Sequence, residues 1–164
     1  MTLLLFLAIF MAVQNPVAAN GPRPVISVNL DSTSKNVKLG DEIQLKIVVT
    51  NVSDHEVRLT RSSGKGQGEF FNRFKVFDGQ GNEPARTKYY RSLWGERGDT
   101  EPQEEINIEI VGSLTKPGDS VTEQVDLNKL YKIEKPGIYK IQVEHEDPET
   151  KTLIKSNVVT VTVS

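Results

Sequence analysis

Along most of the chain, apolar and polar side chains alternate residue by residue. Ile26, Val28 and Leu30 fall on one side, Ser27, Asn29 and Asp31 on the other. The same beat returns with Ile43, Leu45, Ile47 and Val49 against Glu42, Gln44 and Lys46, and with Ile106, Ile108 and Ile110 against Glu105, Asn107 and Glu109. It closes the chain with Tyr139, Ile141 and Val143 against Lys140, Gln142 and Glu144, then Val159, Val161 and Val163 against Thr160 and Thr162. Successive side chains of a strand point to opposite faces, so this alternation predicts strands with one face in a core and the other in water. The helical period of about 3.6 residues is absent. Turn chemistry separates the runs: Leu39-Gly40-Asp41, Asp78-Gly79-Gln80-Gly81-Asn82, Lys116-Pro117-Gly118-Asp119, Lys135-Pro136-Gly137 and Asp147-Pro148. Asn51-Val52-Ser53 reads as a further turn. Short strands at this spacing predict an all-β fold, an antiparallel sandwich of seven to nine strands. There is no internal repeat and no low-complexity tract.

One stretch breaks the beat. Residues 3–13 are uninterruptedly apolar, and as a helix they reach only about 16 Å, short of a hydrocarbon core of roughly 30 Å. Gln14-Asn15-Pro16 ends the run and Val17-Ala18-Ala19 supplies small residues for cleavage. The expectation is a secretory signal over 1–19, although no Lys or Arg precedes the run, and a single domain over 20–164 in the periplasm or outside the cell of a bacterium. No stable membrane span is left after cleavage.

Composition removes chemistry rather than adding it. The chain has no cysteine, which excludes disulfides, thiol catalysis and cysteine-held metals. A net charge of −2 gives no pull toward nucleic acid. No nucleophile motif, phosphate loop or run of metal ligands occurs, so the expectation is a non-catalytic protein with no cofactor.

Pro136-Gly137-Ile138-Tyr139-Lys140-Ile141 places a tyrosine just after a tight corner, at the start of a strand. This matches the tyrosine corner of immunoglobulin-like sandwiches, whose phenol ties back to nearby backbone. Ile141 then stands where disulfide-bonded members carry their second cysteine, with Leu45 or Ile47 as the expected apolar counterpart. Gly40-Asp41-Glu42-Ile43, Asn51-Val52-Ser53, Pro117-Gly118-Asp119, Pro136-Gly137-Ile138-Tyr139 and Ser156-Asn157-Val158-Val159-Thr160-Val161 together resemble the immunoglobulin-like domains of secreted bacterial proteins. Val57-Arg58-Leu59 with Phe74-Lys75-Val76-Phe77-Asp78-Gly79-Gln80-Gly81 is similar to bacterial intracellular proteinase-inhibitor domains. The first resemblance implies fold more than activity, because sandwiches host unrelated functions.

Charge is unevenly spread. Residues 58–97 carry nine basic and four acidic side chains, a local +5, whereas 98–149 carry five basic and thirteen acidic, a local −8. The acidic stretch either answers the basic one within the fold or joins copies head to tail. The basic stretch also holds Phe70, Phe71, Phe74, Phe77, Tyr89, Tyr90 and Trp94. Phe74 and Phe77, with Phe70 or Phe71, are expected in the interior. On a strand, Tyr89 and Tyr90 point to opposite faces, leaving one of them outside. Arginine among aromatics is the make-up of protein-binding surfaces, and Tyr89, Tyr90, Arg91, Trp94 and Arg97 are the candidate binding residues. The expected partner is a protein, such as a peptidase or an envelope component. A second reading is a secreted peptidase inhibitor acting through residues 61–69 or 92–104. A third is a periplasmic metal-binding protein, in which His55 and His145 meet at one pole beside carboxylates.

Overall fold

Every second side chain of the first strand is buried, and those between are exposed. The pattern runs from Ile26 through Val28 and Leu30 to Ser32. The computed structural model describes residues 23–62, 68–96 and 109–164. The signal segment 1–19, Arg97, and Ile106 and Ile108 lie outside the described residues. Among those described, the strands are β1 (Ile26–Ser32), β2 (Asn36–Val37), β3 (Gln44–Asn51), β4 (Val57–Ser62), β5 (Asn72–Phe77), β6 (Ile110–Thr115), β7 (Ser120–Asp126), β8 (Gly137–Glu146), β9 (Leu153–Lys155) and β10 (Val159–Val163). A single helix, α1 (Lys88–Leu93), and 3-10 turns at Gly68–Phe70 and Leu127–Lys129 complete the described elements. The fold is all-β. β2 and β9, too short to show an alternation, carry the strand number past the seven to nine expected.

The strands form a three-stranded sheet β1-β3-β7, a five-stranded sheet β2-β10-β8-β5 with β9 beside β8, and a ribbon β4-β6. All pairs are antiparallel except β2 with β10. The register sets inward residues opposite one another: Val28 faces Val49, Leu45 faces Val125, and Ile141 lies between Val76 and Val159. Leu45, Ile47 and Ile141 are fully buried in one apolar cluster that draws on both larger sheets. Tyr139 enters this cluster while its hydroxyl donates to the Lys135 carbonyl at 2.7 Å, closing the corner that Gly137 opens.

The edge strand β1 is tied to the opposite sheet by two side chains. The carboxylate of Asp147, just past β8, accepts from the backbone N–H of Val25 at 2.7 Å and of Ile26 at 3.3 Å. Its other oxygen accepts from Glu149 and Thr150 N–H, shaping the turn into β9. The amide of Asn157 accepts from Leu30 N–H and donates to the Leu30 carbonyl, both at 2.9 Å. Asn51 works similarly at the end of β3. Its amide nitrogen donates to the carbonyls of His55 and Thr115 and its oxygen takes Ser53 N–H, building the turn read at 51–53.

Three expectations need correction. Tyr89 and Tyr90 lie on a helix, not a strand. Thr87 caps it by accepting from Tyr90 N–H, and Tyr90 is held by the ring of Tyr131, 5.4 Å away between centroids. Phe77 is 42% exposed, because on β5 it falls on the outward face with Arg73 and Lys75, opposite to Phe74, which is buried as expected. Ile110 is exposed on β6, whose ribbon turns most of its side chains to solvent.

Candidate functional site

At the end of β8 the alternation fails. Val143, Glu144 and His145 are all buried in succession. Glu144, on the face expected to be wet, is covered because it lies between Lys75 on β5, at 2.9 Å, and Lys155 on β9, at 4.0 Å. His145 faces inward beside Asn72, its register partner on β5. Above this point lies a cleft of about 400 Å³. One side is Arg58, Leu59 and Thr60 of β4, another is Phe70, Phe71 and Arg73, and Trp94 stands at the end of α1. Glu144, His145 and Glu146 with the turn into β9 complete it.

The aromatic wall is already engaged with itself. Phe70 and Phe71 meet edge to face, 5.0 Å between centroids at 88°, and the Arg73 guanidinium lies over Trp94 at 5.4 Å. The Trp94 indole N–H is buried with no hydrogen-bond partner among the described residues. Gly112 leaves room for Arg58 to cross β6, since a side-chain carbon there would stand 3.2 Å from the guanidinium.

Charges around the cleft balance unevenly. Glu144 has Lys75 and Lys155, and Glu146 has Lys151 at 3.8 Å. Arg58 and Arg73 have no carboxylate partner among the described residues. The basic and acidic stretches of the chain therefore do meet across β5 and β8, and two guanidinium groups are left over.

Behind the cleft runs a buried polar chain. The Asn72 amide nitrogen donates to Glu123 at 2.8 Å and to the Gly68 carbonyl, so its oxygen is the acceptor for His145 Nδ1–H at 2.9 Å. Glu123 also accepts from Ser62 N–H at 3.3 Å. Gly68 has no space for a side chain, because a Cβ would come within 2.7 Å of Glu123. Beside it, Glu69 takes the Tyr89 hydroxyl at 2.7 Å on one oxygen, and its other oxygen is buried with no partner among the described residues. Burial raises the Glu123 carboxyl to about 7, against its bonds from Asn72 and Ser62. Burial likewise raises the Glu69 carboxyl and lowers the His145 imidazole.

Of the described candidate binding residues, Trp94 alone lines the cleft. Tyr90 belongs to the core, Tyr89 reaches Glu69, and Arg91 donates to the Arg86 carbonyl at 2.8 Å. Phe70, Phe71, Arg58 and Arg73 were not singled out by sequence as a site, because only the tertiary fold gathers them. The two histidines have different surroundings. His55 is exposed between Asp54, at 3.0 Å, and Glu149, at 2.8 Å, and the hydrogen bonds to Asp54 and then Glu149 raise its pKa. His145 is buried on Asn72. No group of three or more His, Asp or Glu suited to a metal ion occurs among the described residues. Of the proposed inhibitory segments, 63–67 and 97–104 lie outside the described residues.

No family model matches the chain and no curated protein matches it. Among solved structures it is similar to a mutant β-glucosidase from Listeria innocua in complex with laminaribiose, at TM-score 0.40 and 15% identity. The β-glucosidase from Listeria innocua in complex with gluconolactone gives TM-score 0.40 and 13% identity. Each match covers 85% of this chain and 16% of the β-glucosidase chain, so this chain spans a small part of their length.

Proposed function

We propose that the chain is an exported, non-catalytic domain of immunoglobulin-like architecture that binds a protein partner through the cleft beside Trp94. Support for the architecture comes from the sheets β1-β3-β7 and β10-β8-β5, and from the Tyr139 hydroxyl tied to Lys135. The binding reading is carried by one observation. The cleft joins three aromatic residues and two guanidinium groups that have no carboxylate partner among the described residues, the residue types that dominate protein-binding hot spots. Its histidine and carboxylates are each engaged: His145 with the Asn72 amide, Glu144 with Lys75 and Glu146 with Lys151. Such pairing suits a recognition surface better than proton transfer.

The test is a benzoylphenylalanine photoprobe placed in turn at positions 71 and 153 in the cleft, and at 160 as a control on β10, in cells that export the protein. A discrete protein adduct from 71 and 153 but not from 160 is expected. No adduct, or the same adducts from all three, overturns the reading. So does turnover of a peptide or glycoside substrate that disappears in Glu144→Gln. Intact mass of the exported chain reports whether 1–19 has been removed.

A further inference from the structure

We infer that the occupant of this cleft is an acidic peptide segment, with Asp or Glu beside Arg58 and Arg73 and an apolar side chain against Phe70 and Phe71; this rests on the binding reading above. The charge census selects the sign. Once Glu144 and Glu146 are matched by lysines, Arg58 and Arg73 are the cleft's arginines without a carboxylate partner among the described residues. Guanidinium forks recognise carboxylates and phosphates alike. A carboxylate is the group an unmodified peptide supplies, and phosphoserine is carried as the competing arm of the test. The wall selects peptide over sugar or base. A flat ring stacks best on a free aromatic face, and here Arg73 already lies over one face of Trp94 while Phe70 and Phe71 pack on each other edge to face. Phe70 and Phe71 line the cleft with apolar surface suited to a leucine or phenylalanine side chain. At about 400 Å³ the cleft takes a pair of side chains rather than a whole domain.

The experiment uses the purified protein and a positional-scanning library of acetylated, amidated hexapeptides, with phosphoserine included and trigalacturonate as a separate probe. Fluorescence of Trp94, the chain's one tryptophan, reports binding. Pools with Asp or Glu next to Leu or Phe are expected to bind best. Replacing both arginines (Arg58→Gln with Arg73→Gln) should cut that affinity about tenfold while keeping the apolar preference, since each exposed ion pair contributes modestly. Both side chains are exposed, so the double variant should fold, which its circular dichroism checks. Binding without acidic preference that is lost in Phe71→Ala would overturn the inference and leave the binding reading standing. Preference for phosphoserine over Glu overturns the carboxylate assignment, and trigalacturonate binding above every peptide pool overturns the peptide. Failure of all pools overturns the inference alone if the photoprobe at 71 still captures a protein, and both readings if it does not.

Discussion

Glu123 occupies an inward position of β7, where the alternation with Val121 and Val125 calls for an apolar side chain. Its carboxyl is raised from about 4.5 to about 7 by burial. Between those values the unfolded chain has lost a proton that the folded chain keeps, so stability falls as pH rises from 4.5 to 7 and is level above. The drop is on the order of 3 kcal/mol. Glu123→Gln should flatten that slope in urea titrations across this range. It should also lower stability by about 1 kcal/mol at low pH, because an amide cannot accept from both Ser62 and Asn72. A slope unchanged in the variant would exclude Glu123 as its source. β7 is not among the alternating runs read from the sequence, because Glu123 interrupts Val121 and Val125, and such broken rules gather near functional surfaces. Its partners were no more legible, since Asn72 and Ser62 come from other strands.

At the scale of elements, period-two patterning marked β1, β3, β8 and β10 because each packs one face on the core along its whole length. It could not mark α1, whose six residues make too few turns for a helical stripe. That helix owes its place to the Thr87 cap and to Tyr90 docking on Tyr131. Nor could it mark β6, where Ile110 and Leu114 face solvent. Tyr139 was legible from its corner, and its effect is measurable: Tyr139→Phe keeps the buried ring and deletes the bond to Lys135. The variant should lose about 1 kcal/mol, seen as a lower denaturation midpoint with unchanged denaturant slope. Trp94 stood out by composition, yet Arg58 and Arg73 joined it only through the packing of β4 and β5 around the end of β8.

For the whole molecule, what matters most is how β1 is held. Along one edge it pairs continuously with β3. Along the other, its hydrogen bonds to the opposite sheet among the described residues come from the side chains of Asp147 and Asn157. Burial alone would raise the Asp147 carboxyl, but donors from Thr150, Val25 and Glu149 outweigh it and hold it below the usual range. Asp147→Asn sets a donor against a donor at one end of the fastening, and Asn157→Ala removes the other end. The double variant should elute in size-exclusion chromatography as a mixture of monomer and dimer, with the dimer growing at higher protein concentration. A purely monomeric double variant would show that core burial of Ile26, Val28 and Leu30 suffices. Two fastenings at separate points can be undone one after the other, and the ladder with β3 is then what still holds the strand. In a reciprocal exchange with a second copy, the first strand gives up that ladder on its own β3 and remakes it, with the same core contacts, on the partner's.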